Sequence, residues 1–153
     1  MPQRGAAFRL APRRAADLPD LFDLWVESWQ AAMPQIDFEA RRDWFRTQVM
    51  ALEAGGALTI CGFDAEDRLA GFALLVPQKS HLEQIAVHPR HFGSGLASRL
   101  LGEAKSLCPG GLTLDVNADN PRALRFYERE GFARIAAGTN ELSGLATWRL
   151  RWP

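Results

Sequence analysis

Cysteine is scarce: only two occur in 153 residues. Cys61 and Cys108 lack metal-like spacing and sit in apolar surroundings, so a disulfide framework or a thiolate metal centre is not expected, and both read as reduced core residues. Net charge is missing as well. Eighteen basic and eighteen acidic side chains cancel, leaving no general field for a polyanion, so neither nucleic acid nor a membrane surface is an expected partner. Long hydrophobic runs are absent too. None approaches the roughly 18 apolar residues of a membrane span, and basic residues interrupt the N-terminal stretch where a signal peptide would need an apolar core. The expected location is cytoplasmic. Repeats, linkers and low-complexity tracts are lacking, and the length suits one domain over 1–153, close to the roughly 100–150 residues of an ordinary domain.

What is present is a mixed succession of strands and helices. Phe8 to Ala11 reads as a first strand, and Asp17 is placed to cap a helix carrying Pro19 and Asp20 in its first turn. Leu18, Leu21, Phe22, Trp25, Trp29 and Ala32 recur at helical spacing. A second helix is expected from about Asp37 to Glu53, with Phe38, Phe45, Val49 and Leu52 inward and Gly55-Gly56 closing it. Leu58 to Phe63 and Leu69 to Val76 flank a polar turn and predict an antiparallel hairpin. His81 to Val87 is the next strand. A helix follows with Leu96, Leu100, Leu101, Ala104 and Leu107 facing the sheet. Leu112 to Val116 is a strand, Asn120 caps and Pro121 starts another helix, and Ala133 to Ala137 and Leu145 to Trp152 are late strands. Antiparallel strands first, then a strand-helix-strand unit with a right-handed crossover, predict an α/β mixed sheet.

The most informative stretch is Leu82 to Leu101, LEQIAVHPRHFGSGLASRLL. A strand breaks at His88-Pro89, and a glycine loop opens an amphipathic helix. Amides at a helix N-terminus lack intrahelical partners and the macrodipole there is positive, which makes a phosphate seat. Gly93 and Gly95 let the backbone approach an anion. The second block, LDVNADNPRALRFYEREGF from Leu114 to Phe132, follows about one strand later.

Together these blocks resemble the GCN5-related N-acetyltransferases (GNAT), which move an acetyl group from acetyl-CoA to an amine. The resemblance covers most of the chain. It implies a GNAT-type fold, a central mixed sheet of six to seven strands with about four helices. In that family Gln/Arg-x-x-Gly-x-Gly/Ala follows the strand and its amides hold the CoA pyrophosphate; Phe92, Gly93, Ser94, Gly95, Leu96 and Ala97 occupy that register here. Phe92 departs from the usual Gln or Arg, leaving the task to backbone amides. The later block is matched by Asn117, Asn120, Phe126-Tyr127 and Gly131-Phe132. The resemblance further implies that the strands His81 to His88 and Leu112 to Val116 splay apart, with Ile85, Ala86 and Val87 bonding the pantetheine arm as a pseudo-strand.

Acetyl transfer to an amine of ordinary pKa near ~10.4 requires a base, because about one molecule in a thousand is neutral at pH 7. His81 and Glu83 share a face of one strand. Glu83 is favoured, since a carboxylate also attracts a cationic amine; His81 is nearly as good. By resemblance the Tyr127 hydroxyl donates the proton to the CoA sulfur, and Asn120 reaches the cofactor as well as capping its helix. The Asn-Ala-Asp-Asn turn by itself accounts for Asn117. Arg99, Arg122 and Arg125 are candidates for the 3′-phosphate of CoA only in being basic. No metal is expected.

A dinucleotide-binding reading competes, because Asp115 lies twenty residues beyond Gly95 where a ribose-binding acid belongs. The third glycine is absent, however, and the loop stands mid-chain after a hairpin and not at the first strand-helix turn. A non-catalytic acetyl-CoA sensor or interaction module also remains, though it would need neither Tyr127 nor the His81 and Glu83 pair. The resemblance also implies that acceptor specificity comes from Gln30 to Asp37 and from Gly138 to Gly144, which overhang the crevice in that family. Trp25 and Trp29 read as core, with a substrate-wall role open. The acceptor is an amine of unspecified class, and the chain acts as a monomer or homodimer.

Overall fold

A computed structural model of the chain describes residues 7–153. Seven strands form one sheet in the order β1-β2-β3-β4-β5-β7-β6. The strands are β1 (Arg9–Pro12), β2 (Leu58–Phe63), β3 (Leu69–Val76), β4 (His81–Val87), β5 (Leu112–Asn117), β6 (Ala133–Thr139) and β7 (Ala146–Trp152). Four helices pack on them: α1 (Leu18–Ala32), α2 (Arg42–Ala54), α3 (Leu96–Leu107) and α4 (Pro121–Arg129). Every strand pair is antiparallel except β4 with β5. The expected mixed α/β sheet with four helices is therefore the fold.

β3 sits near the centre, and its eight residues are all buried. Successive side chains point to opposite faces of a strand. Ala73 and Leu75 join Leu96, Leu100, Leu101 and Ala104 of α3 in one core layer. Phe72 and Leu74 join Leu21 and Trp25 of α1 and Phe45 and Val49 of α2 in the other. Gly71 allows α3 to come close: a Cβ there would stand 2.8 Å from the Ala86 carbonyl oxygen and 2.9 Å from Leu96 Cδ2.

Four local expectations are corrected. Asp17 occupies the N-cap position of α1 but does not cap it; its carboxylate accepts from the Arg14 amide at 2.7 Å and from the Arg14 guanidinium. It serves the preceding 3-10 turn instead. The second helix starts later than Asp37, because the Asp37 carboxylate accepts from the Ala40 amide and stabilises a 3-10 turn at Glu39–Arg41 before α2 begins. Leu107 ends α3 on the exposed side, 44% accessible. β6 runs on to Thr139, drawn out by pairing with β7 up to Ala146.

Candidate active site

β4 and β5 pair at only two rungs, His81 with Thr113 and Leu82 with Leu114. Their outer neighbours hold on much further: β3 follows β4 to the rung of Gly71 with Val87, and β7 follows β5 to the rung of Thr147 with Asn117. The two parallel strands consequently part from Glu83 onward, and a cleft of about 930 Å³ opens between them. Ile85, Ala86 and Val87 line one lip; Leu114, Val116 and Asn117 line the other. Backbone groups along the inner edge of β4 have lost their strand partner there, and an extended ligand can take its place.

At the open end, β4 runs into a 3-10 turn at Pro89–His91 and then the glycine loop. Gly93 and Gly95 adopt φ of 78° and 86°, the left-handed region that glycine enters without penalty. The Phe92 amide donates to the Pro89 carbonyl, Ser94 to His91, and Leu96 to the Ser94 hydroxyl. The amides of Gly93, Gly95, Ala97 and Ser98 have no acceptor among the described residues. Four donors therefore stand open at the positive end of α3, and a Cβ at Gly93 or Gly95 would meet nothing within 4 Å. The Leu96 side chain points into the core, so only its backbone belongs to the loop. Phe92 is 43% exposed and connects the loop to the cleft, with the Arg122 guanidinium 5.0 Å from its ring centre.

α4 carries Tyr127 to the cleft wall. Asn120 fixes the helix start, its side chain accepting from the Ala123 amide at 3.2 Å, with Pro121 next. Tyr127 is buried between Phe126 and Phe132, edge-on to both. Burial pushes the phenol up from its ordinary pKa, so it stays protonated. Its hydroxyl has no hydrogen-bond partner among the described residues. Asn117, at the end of β5, donates weakly to the Met33 sulfur at 3.6 Å.

His81 and Glu83 lie where the strands begin to part. His81 Nδ1 is 2.7 Å from the Thr113 hydroxyl, and its Nε2 lies 3.7 Å from Glu83 and 4.0 Å from Asp115. Burial lowers the pKa of His81, outweighing the two carboxylates that raise it. The imidazole is accordingly neutral at pH 7. Gln48 reaches Glu83 from α2, at 3.5 Å. Asp115 is held by both arms of the Arg149 guanidinium at 2.9 and 3.0 Å, a structural pairing that occupies the acid the dinucleotide reading would have used.

The opposite wall comes from α1, α2 and the β6-β7 loop. Gln30 staples the link between the two helices, donating to the Pro34 and Ile36 carbonyls and accepting from the Phe38 amide. That link and residues 138–143 both line the cleft, as do Trp25, Trp29 and Phe38. Arg41, Trp44 and Gln48 also face it. The sequence alone does not single out these three, although Trp44 and Gln48 share one face of α2 and Arg41 is its N-cap.

Thus His81, Glu83, Ile85, Ala86, Val87, Phe92, Asn117, Asn120 and Tyr127 line a single cleft, and the turn from Gly93 to Ala97 continues from its Phe92 end. A profile of the acetyltransferase (GNAT) family matches residues 18–132. The chain belongs to the GNAT family of N-acetyltransferases. It is 25% identical over 138 residues to the peptidyl-lysine N-acetyltransferase YiaC of Escherichia coli, covering 90% of this chain and 92% of that one. It is 35% identical over 108 residues to a mycothiol acetyltransferase of Thermobispora bispora, covering 69% of this chain but only 33% of that longer protein. Among solved structures, the PaiA N-acetyltransferase of Thermoplasma acidophilum in complex with coenzyme A superposes with a TM-score of 0.75 at 19% identity, over 95% of this chain and 98% of that one. That likeness is one of fold. Among the described residues no helix is long and apolar enough to cross a membrane, and no cluster of ligating side chains could hold a metal.

Proposed function

We propose that the chain is a single-domain N-acetyltransferase that moves the acetyl group of acetyl-CoA to a primary amine by direct attack within the cleft. The supporting observation is the parting of β4 from β5 directly beside a loop with four open amides. A pyrophosphate satisfies those amides and the α3 dipole together. The unpaired edge at Ile85 to Val87 bonds the amide-containing arm, and acetyl-CoA supplies the activated thioester.

The remaining work falls to side chains. Glu83 attracts the ammonium form of the acceptor and takes its proton, passing it to neutral His81, whose Nε2 lies within 3.7 Å. The freed nitrogen bonds to the acetyl carbon, the carbon–sulfur bond breaks, and the nitrogen gives up its second proton to solvent as the amide forms. Tyr127 donates a hydrogen bond to the departing sulfur. A thiol titrates near ~8.5 and an ordinary phenol near ~10, so complete transfer from a phenol raised further by burial is uphill. The Tyr127 contribution is therefore a hydrogen bond, and solvent protons finally neutralise the sulfur. Release of free thiol from acetyl-CoA in the presence of amines of several classes tests the proposal; uptake of coenzyme A with no amine-dependent release would leave a binding module instead.

A further inference from the structure

Three side chains whose donor groups lack a protein acceptor pack around one phenyl ring in the cleft. The Arg41 guanidinium stands 5.6 Å from the Phe38 ring centre. It has no carboxylate partner among the described residues, although its neighbour Arg42 pairs with both Glu39 and Asp23. Trp25 and Trp29 pack against the same ring at 5.6 and 5.9 Å. Both indole N–H groups are buried without an acceptor, and Trp25 is only 3% exposed. Buried donors of this kind normally find a partner.

The position of this corner sets a length. Trp44 and Gln48, four residues apart, share one face of α2, and Arg41 stands at the N-cap of that helix, three residues before Trp44. At 1.5 Å per residue, Arg41 lies about 10 Å along the axis from Gln48, and Gln48 touches Glu83. Trp44, 41% exposed, lies between. At the Glu83 end, Asp115 is neutralised by Arg149, leaving Glu83 and, from the β6-β7 loop, Glu141 as the carboxylates facing the cleft. Lys79 and Arg149 are the other cations in the wall.

We propose that the Phe38 corner is a carboxylate-binding subsite for the acceptor. The acceptor then carries an amine that reaches Glu83, an apolar spacer over Trp44, and a carboxylate roughly 10 Å from the amine that pairs with Arg41 and the indole donors. A linear polyamine would bring a second cation against Arg41 and is disfavoured. This rests on the cleft being the acetyl-transfer site, and it narrows the substrate class.

The test compares kcat/KM for 8-aminooctanoate, octylamine and 1,7-diaminoheptane, and for peptides whose lysine is flanked by aspartate or by alanine. Either the free amino acid or the acidic peptide should exceed its neutral counterpart by about tenfold, the worth of a hydrogen-bonded ion pair. Which arm responds identifies whether the carboxylate belongs to a small molecule or a peptide. Arg41→Gln should bring that ratio close to one, and Arg41→Lys should retain part of it. Ratios near one in both arms for the unaltered protein, or preference for the diamine, would overturn the subsite. Calorimetry with coenzyme A separates the two levels: uptake with ratios near one removes only the subsite, whereas no uptake removes the transferase reading as well.

Discussion

His81 Nδ1 and Thr113 Oγ1 lie 2.7 Å apart on the last fully paired rungs before β4 and β5 separate. The Thr113 hydroxyl also lies 3.4 Å from the Ser80 carbonyl, to which it donates. It therefore accepts from Nδ1–H, and the lone pair of His81 is left on Nε2, toward Glu83 and Asp115. This fixes which nitrogen can receive a proton. Thr113→Val keeps the shape and removes the hydroxyl. Turnover should fall several-fold with little change in cofactor affinity, on the scale of one lost neutral hydrogen bond. An unchanged pH–rate profile would show that the tautomer is immaterial.

His81 also sets an expectation for pH. Its folded pKa is lowered below the ordinary 6.5 by burial, so the neutral base persists into mildly acidic solution. The acid limb of the kcat/KM profile should lie below 6.5. The unfolded chain binds the proton first as pH falls, so this group's contribution to stability is present above its unfolded pKa and is lost toward its folded one. Glu83→Gln removes a carboxylate that raises the His81 pKa, and should move the limb lower while reducing turnover by about 100-fold, the usual range for a general base. A limb that stays in place would separate His81 from the proton path.

Tyr127 is the chain's sole tyrosine. Tyr127→Phe keeps the edge-on packing with Phe126 and Phe132. Turnover should drop well over tenfold, with cofactor affinity almost unchanged. Equal activity in steady-state assays would remove the hydroxyl from the mechanism.

Gly95 adopts φ of 86° in open space. Gly95→Ala should lower stability by about 1 kcal/mol, the left-handed penalty for an L residue. Coenzyme A affinity should suffer more than tenfold, because the new methyl stands where the anion approaches. Thermal melts with and without coenzyme A separate the two effects; a loss confined to the apo melt would mean the loop does not hold the anion.

Away from the cleft, Asp17 is buried and bonded to the Arg14 amide and guanidinium. Those bonds hold its pKa below the usual carboxylate value, so its stabilisation is present above the unfolded pKa and lost as pH falls through the folded one. Asp17→Ala should cost about 1–2 kcal/mol at neutral pH. Denaturant unfolding at pH 7 and at low pH should show that difference shrinking with acid.

The hairpin of β2 with β3 and the bounds of β4 were legible because apolar runs end at polar turns or at Ser80 and His88-Pro89. The glycine loop was legible because two left-handed positions, Gly93 and Gly95, are written into the sequence as glycines. The start of α2 was not, since one Asp37 side-chain bond decides between two kinds of turn. β6 was read two residues short because pairing with β7, and not its own Gly-Thr sequence, carries it to Thr139. The wall formed by Arg41, Trp44 and Gln48 was invisible for a related reason. On an amphipathic helix these residues read as a solvated face, and only the fold brings Glu83 against Gln48.

Titration calorimetry of the folded protein with coenzyme A tests the central claim most directly. One molecule should bind per chain, with affinity sharply reduced in Gly95→Ala and nearly retained in Tyr127→Phe. No heat of binding to the unaltered protein, or equal binding by Gly95→Ala, would contradict it.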